Sequence, residues 1–227
     1  MDILYRDNSI VVCVKPAGVL STDEPGGMPE LLRAELGTER RVRSVHRLDR
    51  VVAGVMVYAL SHRVASELSR QVREGGFEKQ YLAVIHWRPP RERGSFRDLL
   101  MRNTRERKTY VVKQPEKGAQ EAVLNYETLA SAGGLSLVRI ELVTGRTHQI
   151  RAQFAGRGLP LVGDKKYSLY PDDCDLALWS QRICFIHPDT GCTLEFSACP
   201  PEIYPWTGFE IYNGDQSVGT VSDGQLM

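Results

Sequence analysis

Cysteine is scarce in this 227-residue chain, which holds five, at positions 13, 174, 184, 192 and 199. An odd number, mostly late in the sequence, makes no disulfide framework and fits reduced thiols. Cys184, His187, Cys192 and Cys199 do not fall at the paired spacing of a compact zinc site, so isolated buried thiols are expected and no metal. No apolar run approaches the roughly 18–20 residues that span a bilayer, so no membrane association is expected. Residues 1–7 lack a basic stretch followed by an apolar one, so no secretory leader is expected and the cytoplasm is the expected compartment. Charge of one sign is also lacking. At a net charge of +1, any polyanionic partner must be held by a local surface rather than by the field of the whole molecule.

What is present is ordinary in amount and uneven in distribution. Hydrophobic residues make up 42% and charged residues 25%, enough for one large domain or two small ones with a proper core. Residues 40–50 hold five arginines and one acid, and residues 97–117 hold seven basic side chains against three acidic ones. Each segment reads equally as a solvated face; two together point towards phosphate binding.

Residues 10–14 form a short β-branched run stopped by Lys15-Pro16-Ala17-Gly18, a strand followed by a turn. Residues 21–30 read as loop and 29–36 as a helix ended by Gly37. The apolar stretch 51–60 reads as a buried strand. Ser61 then caps a helix with Val64, Leu68 and Val72 on one stripe, closed by Gly75-Gly76. Residues 77–87 alternate as a strand, with Tyr81, Ala83, Ile85 and Trp87 on one face and Leu82, Val84 and His86 on the other. The basic region 88–118 suits an extended loop or hairpin. Strands are expected over 122–129 and 135–143, then a helix capped by Thr147, then strands over 182–186 and 192–196. The polar tail 213–227 is expected to be disordered, leaving 1–212 as one domain. Strands outnumber helices and connections are short, which favours an α+β fold with a mixed, mainly antiparallel sheet.

Two segments carry chemistry. His46-Arg47-Leu48-Asp49-Arg50 sets one carboxylate between two arginines just before a buried strand. Nearby positive charge favours the ionised form, which suits nucleophilic attack rather than general-acid work. A purely structural arginine–aspartate pair fits the same five residues. A kinase catalytic loop does not, because no D-F-G and no glycine-rich loop accompany the segment. In the second segment, 144–151, a glycine turn leads into a helix that presents Arg146 and His148 at its start, where phosphate also binds well. Arg151, one turn further in, is placed to hold a partially buried acid bidentately. An amphipathic surface helix would look the same.

Five motifs in order resemble the RluA-type pseudouridine synthase family. They are Lys15-Pro16-Ala17-Gly18 after an apolar strand, His46-Arg47-Leu48-Asp49 followed by Gly54, and Lys79-Gln80-Tyr81-Leu82-Ala83. Then come residues 144–151 with Gly163-Asp164-Lys165-Lys166-Tyr167, and Cys184-Phe185-Ile186-His187-Pro188. The resemblance spans residues 3–206. It implies the catalytic fold of that family and the isomerisation of uridine within ribosomal or transfer RNA to pseudouridine, with no cofactor and no metal.

By the same resemblance Asp49 is the catalytic residue, Arg47 helps displace or replace the flipped nucleotide, Tyr81 packs on the target base, and Arg151 pairs with the aspartate. Lys15, Arg146 and His148 are expected at the substrate, Arg105 and Arg107 at RNA phosphates, and the protein is expected to be a monomer. The sequence departs from the family at Val51-Val52-Ala53, where an acidic or small polar residue and then hydroxyl side chains are usual. No small RNA-binding module is expected ahead of the catalytic region. Two rivals stand: an RNA-binding relative without turnover, and a glycoside hydrolase, for which no second acid stands out beside Asp49.

Overall fold

A computed structural model describes residues 2–37 and 41–209. The expected tail, 213–227, and Arg40 of the first basic cluster lie outside the described residues. In chain order the elements begin with β1 (Ile3–Arg6), β2 (Ile10–Lys15), α1 (Met28–Leu36), β3 (Arg43–Ser44), β4 (Ala53–Ala59) and α2 (His62–Glu74). There follow β5 (Glu78–His86), β6 (Arg93–Asn103), β7 (Lys108–Val112), β8 (Gln120–Ala132) and β9 (Leu135–Leu142). Helix α3 (Gln149–Ala155) and strands β10 (Leu178–Ile186) and β11 (Thr193–Ser197) complete the list. They fall into two compact units, and the chain passes between them inside β5, after Lys79, inside β10, after Trp179, and again after Pro200.

The first unit holds residues up to Lys79 and Ser180–Pro200. Its strands lie in the order β1-β2-β4-β10, with β11 on β10 and β3 on β4. Strand β4 reads as a continuous apolar run because both of its faces are covered. Val55, Val57 and Ala59 join Ile10, Val12, Val64, Leu68, Phe77, Ile183, Phe185, Leu194 and Phe196 in one cluster, while Met56 and Tyr58 are fully buried on the opposite face. Helix α2 supplies Val64 and Leu68 to the cluster, with Val72 packed at its margin. Its start is set by Ser61, whose hydroxyl accepts from the Val64 amide at 3.2 Å. Its end is set by Gly75, in the left-handed conformation.

The second unit, Gln80–Trp179 with the described part of Pro201–Ile211, is an antiparallel sheet in the order β5-β9-β8-β6-β7. Its aromatic centre is Phe96, Tyr126 and Phe154, with ring centroids 4.7, 5.0 and 5.8 Å apart. The Arg157 guanidinium covers Phe96 at 3.9 Å while binding Asp98.

All the strand pairings within each unit whose register is defined are antiparallel, in keeping with the α+β reading. The region 88–118 is a hairpin, and its first strand is longer than its breakers suggest. Strand β5 is buried on both faces from Tyr81 to Ile85, so its alternation marks two covered surfaces rather than an inside and an outside. Trp87 does not continue that alternation, since its φ of 68° takes it out of the strand.

The helix expected to be capped by Thr147 starts one residue later, at Gln149. His148, at φ 55°, stands at its start. No side chain caps it; the Gln149 side chain instead braces the preceding turn, accepting from the Arg146 amide at 2.9 Å and the Thr144 hydroxyl at 2.8 Å.

Gly54 lets β4 and β10 approach closely in the first unit. At φ +123° a Cβ there would lie 2.3 Å from the Ser180 carbonyl oxygen and 2.5 Å from its nitrogen, both backbone atoms that cannot swing away. Gly54→Ala is expected to cost at least about 2 kcal/mol of unfolding free energy. Gly75→Ala, where φ is +84° but space is open, is expected to cost only about 1 kcal/mol. Urea unfolding of both variants measures the difference; equal losses would remove the steric argument.

Candidate active site

In the first unit the segment around Asp49 is held from both sides. The Ser21 hydroxyl accepts from the Leu48 amide at 3.0 Å and donates to the Leu48 carbonyl at 2.8 Å. After the aspartate, the Arg50 carbonyl accepts from the Gly18 amide at 2.8 Å and from the Lys15 ammonium at 3.3 Å. The Arg50 side chain returns to the Gly18 carbonyl at 2.7 Å. The Val52 amide donates to the Asp49 carbonyl at 3.0 Å, closing the turn. Asp49 is therefore carried half-buried on a pinned turn, with Arg47 and Arg50 exposed on either side. That closure uses backbone atoms, so the turn forms with valine at 51 and 52, where the family usually has polar side chains. Val52 is buried and Val51 is 45% exposed.

Lys15 is fully buried. Its ammonium also donates to the carbonyls of Pro16 at 2.8 Å and Val19 at 2.7 Å, so three N–H groups meet three acceptors. Burial pushes its pKa down to about 8, opposed by the negative charge of Asp49. The reading of Lys15 as a substrate contact is corrected on this ground: its donors are spent on the loop that carries Asp49, and its side chain has no exposed surface.

His46 is fixed to β4 through one ring nitrogen. Its Nε2 accepts from the Val57 amide at 3.2 Å, and its ring lies 5.2 Å from that of Phe77. Burial lowers its pKa to about 3, with the Lys79 charge adding in the same direction. The imidazole is a neutral anchor for the turn, with its proton on Nδ1.

In the second unit Tyr81 is buried on β5, opposite Ile140 of β9. Arg151 lies on α3 and forks onto Asp164, Nε to Oδ2 at 2.8 Å and a terminal nitrogen to Oδ1 at 2.7 Å. The Asp164 side chain is wholly buried, and its Oδ1 also accepts from the Lys166 and Tyr167 amides. An arginine one turn inside α3 thus does hold a buried acid bidentately. That acid was not singled out for the role from sequence, although it sits in the glycine-aspartate-tyrosine turn.

Tyr167, likewise unassigned from sequence, gathers several of the remaining residues. Its hydroxyl accepts from the Thr109 amide at 2.7 Å and shares a hydrogen bond of 2.8 Å with His148 Nδ1. The Arg151 guanidinium and the Lys108 ammonium lie 5.1 and 5.0 Å from its ring centre. Arg146 stands outside the helix, exposed, with Nε on the Glu121 carbonyl. Arg105 and Arg107 occupy the exposed β6–β7 tip, where Asn103 accepts from the Arg105 and Glu106 amides and Lys166 donates to the Arg107 carbonyl at 3.0 Å. Ser21 had no signal in the sequence that could have found it.

The buried imidazole gives stability a pH dependence. Its unfolded form takes up a proton below its ordinary 6.5, which the folded form refuses down to about 3. Its contribution is whole above 6.5 and falls by about 1.4 kcal/mol per pH unit below that. Between pH 7 and 4.5 the native protein is expected to lose about 2–3 kcal/mol more than His46→Gln loses. Urea unfolding of both at the two pH values checks this; parallel losses would mean the ring is not held neutral.

Residues 9–156 match the family described as RNA pseudouridylate synthase. The dual-specificity RNA pseudouridine synthase RluA of Haemophilus influenzae is 32% identical over 211 residues, 87% of this chain and 92% of that one. An uncharacterized RNA pseudouridine synthase of Synechocystis, slr1629, is 31% identical over 208 residues, and the chain spans 84% of itself and 63% of that protein. The solved structure of human RNA pseudouridylate synthase domain containing 4 superposes with a TM-score of 0.74 at 23% identity, covering 88% of each chain, a likeness of fold. With a family match over most of its length and a 32% identical relative covered almost end to end, the chain belongs to the RluA-type RNA pseudouridine synthases, enzymes that isomerise uridine in RNA to pseudouridine.

Proposed function

We propose that this chain isomerises unpaired uridine in structured ribosomal or transfer RNA, with Asp49 as the catalytic carboxylate. The observation that carries the assignment is the pinned turn. Hydrogen bonds fix Leu48 before the aspartate and Arg50 after it, which gives a reacting carboxylate the rigid support that orientation-dependent catalysis needs.

The reaction breaks the N1–C1′ bond, turns the uracil, joins C5 to C1′, removes the C5 proton and leaves N1 protonated. Substrate and product have the same atoms, so no outside group has to be supplied. A carboxylate can serve by attacking C1′, by attacking C6, or by removing a sugar proton to give a glycal. The base has to leave its stack first, at a cost of a few kcal/mol that is smallest in a loop.

Arg47, exposed two residues before the aspartate, is assigned to the space the base vacates, where a guanidinium stacks on neighbouring bases. Tyr81 is assigned to the target base, and Arg151 to the catalytic set. Arg146 and His148 are assigned to RNA contacts, and Arg105 and Arg107 to phosphates at the hairpin tip. The enzyme is taken to work as a monomer in the cytoplasm without metal or cofactor. The relative named for dual specificity supports testing both RNA classes.

Asp49→Ala is expected to abolish pseudouridine formation in transcribed transfer and ribosomal RNA, mapped chemically, while RNA affinity falls by less than about tenfold. Near-normal turnover in that variant refutes the assignment. Reversing charge at Arg105 and Arg107 is expected to weaken RNA binding and flatten the slope of log affinity against log salt by about 1–2, the loss of two phosphate contacts. An unchanged slope excludes the hairpin tip.

A further inference from the structure

Trp87 combines two costs at one residue. Its φ of 68° is a conformation that a bulky aromatic side chain rarely adopts, and its indole is 52% exposed. The strain is imposed from outside the residue. The Trp87 amide donates to the Gly134 carbonyl at 2.7 Å, and its carbonyl accepts from the Ser136 hydroxyl at 2.8 Å, which is itself bound to Ser131. The indole is oriented too. Its Nε1 donates to the Tyr170 hydroxyl at 3.0 Å, with the two rings edge to face at 6.2 Å.

Tyr170, 42% exposed, lies over His86 at 4.2 Å. His86 is fixed by Asp172 at 2.9 Å, whose same oxygen accepts from the Gly163 amide. The chain has three tryptophans. The other two, Trp179 and Trp206, are only 9% and 6% exposed. A strained, hydrogen-bonded and exposed ring pair is not explained by packing, since packing would have buried it.

We propose that Trp87 and Tyr170 form a stacking platform for an unpaired base of the RNA, at a point removed from the reacting uridine. This rests on the chain acting on RNA. Trp87 lies six positions after Tyr81, just past the end of β5, about 20 Å away at strand spacing, so the platform holds a second part of the RNA. Unpaired bases stack on aromatic faces regardless of sequence. The exposed Asp173 and Asp175 in the Tyr170 segment make this a poor phosphate cradle, so the ring faces are the grip.

The platform provides its own reporter, since a base stacked on an indole quenches its fluorescence and only Trp87 is open to one. Titration with a hairpin RNA carrying an unpaired loop is expected to quench the protein's tryptophan emission, and a blunt duplex of the same stem is expected not to. In Trp87→Phe the quench disappears while affinity, read by filter binding, stays within about threefold. In Trp87→Gly affinity falls about tenfold, yet the unfolding temperature is equal or higher, because glycine adopts this φ without strain.

Unchanged affinity in Trp87→Gly overturns the proposal, as does equal quenching by the duplex or a quench that persists in Trp87→Phe. So does a wild-type dimer in sedimentation that Trp87→Gly dissolves, for then the rings meet a second copy of the chain. The same RNAs are mapped for pseudouridine after incubation with wild type. Missing product with quenching intact counts against the catalytic assignment alone, and product with unchanged Trp87→Gly binding counts against the platform alone.

Discussion

The buried ammonium of Lys15 is the constraint on which the turn that carries Asp49 depends. A lysine taken fully out of water is unfavourable unless its donors are satisfied, and here three carbonyls from Pro16, Val19 and Arg50 satisfy them. One charge thereby ties the end of β2 to the residue after Asp49. Apolar side chains could fill the same volume but could not hold three carbonyls in register. Burial pushes its pKa down to about 8 against the opposing charge of the nearby aspartate. Ser21 and the neutral His46 complete the frame, one holding Leu48 and the other reaching back to β4.

The second unit repeats the device with opposite partners. There a buried carboxylate, Asp164, is the hub, and it binds the Arg151 fork and two backbone amides. Removing one member of such a pair leaves an uncompensated charge in the interior. Tyr167 extends the hub to His148 and to β7, so the start of α3 and the basic hairpin share one support. In both units the side chains assigned to RNA or chemistry sit beside a buried, hydrogen-bonded polar cluster. Such a cluster confers position more than stability.

Trp87 shows the complementary economy. Glycine would relieve the backbone and solvent would accept a polar side chain, yet the fold keeps a large ring in a strained conformation and fixes its edge. Stability forgone at a surface position usually marks a binding role.

Much of this was legible in the chain itself, for reasons that are local. Apolar runs with short breaks marked β2, β4 and the β8–β9 pair. Ser61 and Gly75 bracketed α2, because capping acts over a few residues. The start of α3 was misread because no side chain caps it and a glutamine side chain, not Thr147, braces the preceding turn. Lys15 was misread because the carbonyls that take its protons lie up to 35 positions away. The division into two units was invisible for the same reason, since each is assembled from segments far apart in sequence. The sequence by itself determined the chemistry available: which carboxylate, which arginines and which aromatic rings there are to act. Only the tertiary structure decided which of those groups are buried as supports and which are exposed, because burial and hydrogen-bond partners are set by residues that only folding brings together.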